Sequence, residues 1–191
     1  MIQNLAPDDG TFTSNVFLVE GDVTTLVDVG NDFDVVAAVR EHVPEIDLVV
    51  LTHTHPDHVG TLDAVRAAFD APAVGFDGNF PGIDDELGDE ESITIGDDEY
   101  VALHTPGHKD DHLCLYSAGA GVLFAGDLVF ANGSFGRTDL EEGDRGALIQ
   151  SIDRLSTVVD DDLAQMHTGH GPSVTDEPYG HIELASQAAR F

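Results

Sequence analysis

The sequence predicts a four-layer α/β sandwich in the order helix, sheet, sheet, helix (αββα). Short runs rich in β-branched residues fall into two sets along the chain, and helical apolar spacing occurs beside each set. The polar motifs also fall where predicted strands end. The length suits one domain, so we expect a single domain over residues 1–191.

The first half of the chain contains the first set of strands. The predicted elements are a hairpin of residues 11–20 and 23–29, a helix over 34–41, a strand over 46–52 and a helix near 62–69. Gly21 and Asp22 form the expected hairpin turn. Asn31 or Asp32 is the expected helix cap, and the helix ends before Pro44.

The second half contains the second set, after an acidic loop with glycine and proline. The predicted strands are 92–95, 100–104, 112–116, 121–124 and 163–167, and the predicted helices are 147–158 and 183–189. Helices outside each set of strands would complete the four layers.

Composition and charge narrow the function classes. The 191 residues carry 7 Lys+Arg against 37 Asp+Glu, a formal net charge of −30. Such a surface repels polyphosphate chains and anionic lipid, so we expect neither nucleic-acid nor membrane binding. No apolar run approaches the ~20 residues of a membrane-spanning helix, and no export signal is visible. The single cysteine, Cys114, also suits a reducing environment, and together these features favour a cytoplasmic protein.

The acid excess predicts a halophilic protein. At ordinary salt this charge destabilises the compact state by self-repulsion, whereas molar salt shortens the screening length to ~3 Å. An acidic face that binds a partner is the alternative interpretation.

The strongest motif lies directly after the predicted strand 46–52. Residues 52–60, Thr-His-Thr-His-Pro-Asp-His-Val-Gly, contain His53, His55, Asp57 and His58. A tight loop after a strand can turn alternate side chains toward one point. His53 and His55 can therefore share one metal ion while Asp57 and His58 face a second. Nitrogen and oxygen ligands without thiolate suit Zn²⁺, Mn²⁺ or Fe²⁺.

Three further residues complete the candidate set, each close behind a predicted strand. They are His108 in Thr-Pro-Gly-His, Asp127 after Phe-Ala-Gly, and His170 in Thr-Gly-His-Gly-Pro. Each is a weak signal alone, because turns of this kind are common. Their order and spacing behind the first motif favour a shared site over chance.

These motifs resemble those of the metallo-β-lactamase superfamily, and the likeness runs from residues 15–18 and 26–30 to His170. The resemblance implies an αββα sandwich with two divalent metal ions between the sheet edges, Zn²⁺ being the first expectation. It implies His53, His55 and His108 on the first metal, Asp57, His58 and His170 on the second, and Asp127 as the bridge. Asp28 resembles the family's carboxylate that orients a ligand histidine.

Within the superfamily, residues 133–140, Gly-Ser-Phe-Gly-Arg-Thr-Asp-Leu, are similar to a stretch of glyoxalase II-like thioesterases and the related persulfide dioxygenases. There a basic residue contacts the glutathione part of the substrate, so the resemblance implies Arg137 as a substrate-binding residue. A surface salt bridge is the alternative interpretation. Few residues follow His170, so the closer likeness is to the short, single-domain glyoxalase II-like hydrolases.

Two other features bear on the family position. True β-lactamases of the superfamily usually lack the bridging carboxylate, so Asp127 argues against antibiotic hydrolysis. After His108 the family commonly continues with Thr and then Gly, whereas this chain has Lys109, Asp110 and Asp111. We expect these residues to change the charge at the rim of the site.

The sequence therefore predicts a metal-dependent hydrolase of acyl thioesters of a small cytoplasmic thiol. Two divalent cations ~3.5–4 Å apart can bridge one water and lower its pKa toward ~7, and Asp57 is the expected proton acceptor. The alternative is a mononuclear iron dioxygenase that oxidises a persulfide, for which the resemblance implies His53, His108 and Asp127 alone. A metal-carrying module without catalysis is a third interpretation. The identity of the thiol and the oligomeric state stay open.

Overall fold

The computed structural model describes residues 1–191 and contains two β-sheets. The first sheet has six strands in chain order: β1 (Ile2–Asn4), β2 (Phe17–Val19), β3 (Thr25–Val27), β4 (Leu48–Val50), β5 (Ala73–Gly75) and β6 (Asp85–Glu86). Strands β1, β2 and β3 are antiparallel, and β3 to β6 run parallel.

The second sheet has five strands in the order β11-β10-β9-β8-β7. They are β7 (Ser92–Ile95), β8 (Asp98–His104), β9 (Leu113–Ser117), β10 (Val122–Gly126) and β11 (Gln165–Thr168). Only β10 and β11 pair in parallel. The helices are α1 (Val35–Arg40), α2 (Pro56–Val59), α3 (Leu62–Phe69), α4 (Arg145–Val158) and α5 (Pro178–Ala188).

Alternation of side chains along the strands builds the layers. Leu18 and Leu26 pack with residues of α1 and α3, whereas the neighbouring Phe17 packs between the two sheets against Phe124. On the other side, α4 and α5 cover the second sheet, where Leu148 packs in one apolar cluster with Leu123. This order confirms the predicted αββα sandwich. None of the five helices combines the length and the apolar character needed to cross a bilayer.

The predicted hairpin is present, but its first strand is shorter than expected. Residues 11–14 form no strand, and β2 begins at Phe17. The amide of Ser14 donates to the Asp57 carbonyl, and that of Asn15 donates to the Gly169 carbonyl. This segment therefore packs against the loops that carry the polar motifs instead of joining the sheet.

The expected cap of the first helix was wrong. Asp34 caps α1, because its Oδ1 accepts a hydrogen bond of 2.9 Å from the Ala37 amide. Asp32 has φ 59°, a left-handed conformation that does not lead into a helix as an N-cap does. The short strands β1, β5 and β6 and the single-turn helix α2 were not predicted.

Candidate metal centre

Seven side chains from four segments that follow strands converge where the two sheets meet. The segment after β4, which includes α2, carries four of them, and the loops after β8, β10 and β11 carry one each: His53, His55, Asp57, His58, His108, Asp127 and His170. Their candidate ligand atoms form three overlapping groups, in each of which all atoms lie within 4.8 Å of one another. The structure thus brings together every residue predicted as a metal ligand.

Three imidazole nitrogens face one another in the first group. His55 Nδ1 lies 3.1 Å from His53 Nε2 and 3.0 Å from His108 Nε2. His53 and His108 are buried, and His55 is partly open to the cavity above. Such a triangle of ring nitrogens fits three ligands of a tetrahedral cation.

The second group joins Asp57, His58 and His170, with His170 Nε2 3.1 Å from Asp57 Oδ2. The carboxylate of Asp127 lies between the two groups. Its Oδ1 is 3.5 Å from His58 Nε2, and its Oδ2 is 3.4 Å from His108 Nε2 and 3.5 Å from His170 Nε2. Asp127 also forms a third group with His53 and His58. One carboxylate therefore reaches both groups, as a bridging ligand would.

Hydrogen bonds on the far ring nitrogens fix which nitrogen is free to bind a cation. His58 Nδ1 lies 2.8 Å from Asp28 Oδ2, and His108 Nδ1 lies 2.8 Å from the Arg137 carbonyl oxygen. Because these oxygens only accept, each Nδ1 carries a proton, and each Nε2 is left as the nitrogen that can bind a cation. The expected contact of Asp28 with a ligand histidine is present.

Asp28 also organises the start of the histidine loop. Its carboxylate accepts hydrogen bonds of 2.8 Å from both the amide and the hydroxyl of Thr52. The Thr52 hydroxyl oxygen then lies 3.1 Å from His53 Nδ1 and can accept a hydrogen bond from it. One buried carboxylate thus orients two of the candidate ligands.

The fit to divalent cations follows from two buried atoms. His58 Nε2 and Asp127 Oδ1 are buried and have no hydrogen-bond partner. Leaving such atoms unpaired costs free energy, and a cation between them would satisfy both. The donor set contains only nitrogen and oxygen, which suits Zn²⁺, Fe²⁺ or Mn²⁺.

The electrostatics of the site agree with this fit. Burial alone would lower the pKa of His58, but the carboxylates of Asp28 and Asp127 raise it to about 10. Burial alone would raise the pKa of Asp127, whereas the neighbouring histidines hold it below its usual range. Burial and the adjacent rings lower the pKa of His53. The site thus favours positive charge beside Asp127, where a cation would replace the proton on His58 Nε2.

Two glycines make room for Asp127. A Cβ at Gly169 would lie 2.0 Å from Asp127 Oδ1, and a Cβ at Gly136 would lie 2.0 Å from the Asp127 carbonyl oxygen. Any larger residue at either position would displace Asp127.

His112 supports the site although no motif pointed to it. It is fully buried, its Nε2 accepts a hydrogen bond of 2.9 Å from the Asp127 amide, and its Nδ1 lies 2.8 Å from the Thr105 hydroxyl. Burial lowers the pKa of His112 to about 3, so the ring is neutral and can accept at Nε2. The only signal in the sequence was its place four residues after His108.

A cavity of about 630 Å³ opens above the centre. It is lined by five candidate ligands together with Phe12, Asn31, Pro56, Phe130, Phe135, Gly136, Arg137 and Leu140. Arg137 lies in this lining with its side chain 63% exposed, and its guanidinium contacts the Asp139 carboxylate at 2.7 and 2.8 Å. The salt bridge that was the alternative interpretation of Arg137 is therefore present, and it lies at the cavity.

Known proteins share both the sequence pattern and the fold. A family profile described as the Metallo-beta-lactamase superfamily matches residues 9–81 and 74–170. A hydroxyacylglutathione hydrolase of Chromohalobacter salexigens is 32% identical over 151 residues, covering 78% of this chain and 57% of that protein. The chain spans about half the length of the curated hydroxyacylglutathione hydrolases that it matches.

Two solved structures cover nearly the whole chain. The B3 metallo-beta-lactamase BLEG-1 has a TM-score of 0.79 at 28% identity, with 95% of both chains covered. TTHA1623 in a di-iron-bound form has a TM-score of 0.71 at 28% identity, with 94% of both chains covered. Since the profile spans most of the sequence and the fold agrees, this chain belongs to the metallo-beta-lactamase superfamily.

Proposed function

We propose that the protein is a metal-dependent hydrolase that cleaves an acyl thioester of a small thiol. The observation that carries the proposal is the Asp127 carboxylate, whose oxygens face His58 on one side and His108 and His170 on the other. A carboxylate in that place lets two cations share one site at the cavity. The likeness to hydroxyacylglutathione hydrolases favours a thioester as the bond that is cleaved.

In this proposal each cation has three ligands besides the bridging Asp127. His53, His55 and His108 hold the first, and Asp57, His58 and His170 hold the second. We propose Zn²⁺ for both positions, with Fe²⁺ or Mn²⁺ as alternatives, because the donors are nitrogen and oxygen. Bound divalent cations would supply a water with its pKa lowered toward ~7 and positive charge for a carbonyl oxygen.

Asp57 is the proposed proton acceptor. It lines the cavity, and its Oδ2 lies 3.1 Å from His170 Nε2. Burial alone would raise the pKa of Asp57, but its contacts with His170 and His58 lower it. The carboxylate is therefore ionised at neutral pH and can take a proton from the attacking water. The departing thiol has a moderate pKa, ~8.5 for cysteine, so its thiolate leaves without a strong general acid.

Arg137 is the proposed contact for a carboxylate on the thiol part of the substrate. Its guanidinium fork suits bidentate binding, and it lies in the cavity lining. Because Asp139 already occupies the fork, a substrate carboxylate would have to exchange with Asp139.

We further propose that the protein works in the cytoplasm of a salt-rich cell. The net charge of −30 suits molar salt and disfavours nucleic-acid or membrane partners. The single Cys114 is fully buried, and burial raises the pKa of its thiol to about 12, which keeps it unreactive.

Metal analysis and a thioester-cleavage assay test the proposal together, with protein purified in molar KCl. We expect two divalent cations per chain and thioester cleavage, and Asp127→Ala should abolish turnover while the circular dichroism spectrum persists. Equal activity in Asp127→Ala would contradict the two-metal arrangement.

The same preparation separates the competing activities. One iron per chain together with persulfide-dependent oxygen uptake would show that the protein is a dioxygenase and not a hydrolase. Cleavage of a chromogenic cephalosporin without cleavage of thioesters would assign a β-lactamase activity instead.

A further inference from the structure

The cavity above the candidate metal ligands has an apolar part. Four large apolar side chains line it: Phe12, Phe130, Phe135 and Leu140. Phe12 is 73% exposed and Leu140 is 36% exposed, and both are among the few large apolar residues that this acidic chain leaves open. A scattered exposed residue needs no explanation, but apolar residues grouped around one cavity indicate a binding surface.

Two of the three aromatic side chains in this lining are held in place. The guanidinium of Arg145 lies 4.1 Å from the centre of the Phe135 ring, and the Phe130 ring lies 6.4 Å from that of His170. The Phe130 amide also donates a hydrogen bond of 2.8 Å to the Ser134 carbonyl, which fixes the turn between these two residues. The inner part of the apolar surface is thus preformed beside a candidate ligand, which lowers the entropic cost of binding.

Cationic groups are scarce in the same lining. Apart from the histidines, Arg137 is the only one, and the carboxylate of Asp139 already fills its fork at 2.7 and 2.8 Å. A carboxylate on the substrate gains little by replacing another carboxylate. An apolar group on the substrate, by contrast, removes four apolar side chains from water.

We propose that this cavity selects thioesters with an apolar body, which packs between Phe12, Phe130, Phe135 and Leu140, over thioesters of similar size that carry an additional carboxylate. The selection rests on the proposed function for its chemistry, since the scissile bond must reach Asp127 and the histidines. The apolar surface itself is a property of the cavity lining and can be tested by binding alone.

Three thiols with the same three-carbon chain test the binding step on metal-loaded protein in molar KCl. They are propane-1-thiol, 3-phenylpropane-1-thiol and 4-sulfanylbutanoate, and titration calorimetry measures their affinities. We expect the phenyl compound to bind at least about tenfold more tightly than propane-1-thiol. The carboxylate compound should stay within about threefold of propane-1-thiol. Equal affinities for all three, or tightest binding of 4-sulfanylbutanoate, would overturn the proposal.

Variants identify the surface that is responsible. Phe12→Ala and Leu140→Ala should each reduce the phenyl preference by about threefold or more, whereas Phe12→Tyr, which keeps the ring, should retain it. Phe191→Ala is the matched control, because Phe191 is fully exposed and lies outside the cavity lining. A phenyl preference that is unchanged in Phe12→Ala and Leu140→Ala would contradict the assignment to this surface.

Hydrolysis of the matching thioesters then separates this proposal from the proposed function. The 4-phenylbutanoyl and glutaryl thioesters of N-acetylcysteamine have the same three-methylene chain and differ in the same way as the thiols, and the first should have the higher kcat/KM. If the phenyl thiol binds more tightly and neither thioester is cleaved, the apolar selection stands and the thioesterase activity fails. If both thioesters are cleaved equally well, the activity stands and the selection fails.

Discussion

The Nζ of Lys109 lies 3.2 Å from Oε2 of Glu142, and the same oxygen lies 3.9 Å from Nε2 of His55. The Lys109 side chain is 10% exposed and also lies 3.5 Å from the buried Asp111. Asp111 in turn accepts a hydrogen bond of 2.5 Å from the hydroxyl of Thr54 in the histidine loop. The ammonium therefore holds together two carboxylates that would otherwise repel each other beside His55. The charged residues expected at the rim of the site thus form a cluster of ion pairs around Lys109.

Lys109→Met should lower the affinity of one cation by about 10- to 100-fold, because Glu142 loses the charge that keeps it near the outer nitrogen of His55. Competition with a chromophoric chelator measures this affinity. Glu142→Gln should have a similar effect, and the double variant should lose little more than either single one. Glu141→Gln is the control at the neighbouring acid. Additive effects of the two substitutions would show that the pair does not act as a unit.

Asp28→Asn should also weaken metal binding by about 10- to 100-fold. Asn has the same shape and tolerates the φ of 58° at this position, but its amide group cannot replace both accepting oxygens. His58 and Thr52 then lose the acceptor that orients them. Asp32→Asn is the control, since Asp32 has φ 59° as well. Metal affinity equal to that of the unmodified protein in Asp28→Asn would contradict this role.

Arg137 and Asp139 should affect the KM in opposite directions. For a thioester whose thiol carries a carboxylate, Arg137→Ala should raise the KM by up to about threefold with little change in kcat, because binding and not chemistry is lost. Asp139→Asn should lower the KM, since the substrate no longer competes with Asp139 for the guanidinium. Steady-state kinetics at fixed salt measure both constants. A rise in KM in both variants would show that the pair acts only as a structural salt bridge.

His167 should make the fold sensitive to mild acid. It is buried between Phe17 and Phe124, and burial lowers its pKa to about 4. The unfolded chain takes up this proton below pH ~6.5 and the folded protein only below pH about 4, so stability is lost as the pH falls between these values. The full effect corresponds to about 3 kcal/mol.

Replacing the ring tests this cause. In His167→Phe the free energy of unfolding should fall less between pH 7 and pH 4.5 than in the unmodified protein, both measured by chemical denaturation in the same KCl. Ser173→Ala removes the hydrogen-bond partner of His167 at 2.8 Å but keeps the imidazole, and should preserve the pH dependence. An identical pH dependence in His167→Phe would assign the acid sensitivity to other groups.

Removal of salt should unfold the protein. With 37 acidic residues against 7 Lys+Arg, repulsion grows as the screening length rises from ~3 Å in molar salt to ~10 Å at 0.1 M. We expect the far-ultraviolet circular dichroism signal to fall on dialysis into dilute buffer and to return in molar KCl. Sucrose, which does not screen charge, should restore less of it. Full stability in dilute buffer would contradict the halophilic interpretation and favour the alternative, an acidic face that binds a partner.

The convergence of the ligands could be predicted because each follows a predicted strand. Strand β7 has the predicted bounds, and the histidine motif, His108, Asp127 and His170 all directly follow strand ends. Helix α5 begins at Pro178, earlier than predicted, because its first turn shows little apolar periodicity beyond the proline itself. The exposed strand β6 was not predicted because it consists of two acidic residues, Asp85 and Glu86, within a segment whose composition is typical of a loop.

The contacts that support the ligands could not be predicted in the same way. Lys109 and Glu142 are charged residues of common type, and only the tertiary fold brings their segments together. His112 has no motif of its own, and its role depends on the amide of Asp127 pointing toward its ring. A sequence pattern identifies residues whose type and spacing are both unusual. Lys109, Glu142 and His112 stand in no such pattern, so only the folded structure shows what they contact.

The candidate ligands come from both sheets, with four on the segment after β4 that includes α2 and three on loops of the second sheet. Loaded cations would then act as a cross-link between the two halves of the molecule. Separation of the two halves during unfolding would require breaking coordination bonds. Release of the ions and loss of the fold would therefore become one slow event. A chelator should therefore shorten the survival time of the folded protein on heating, even where the salt concentration stays high.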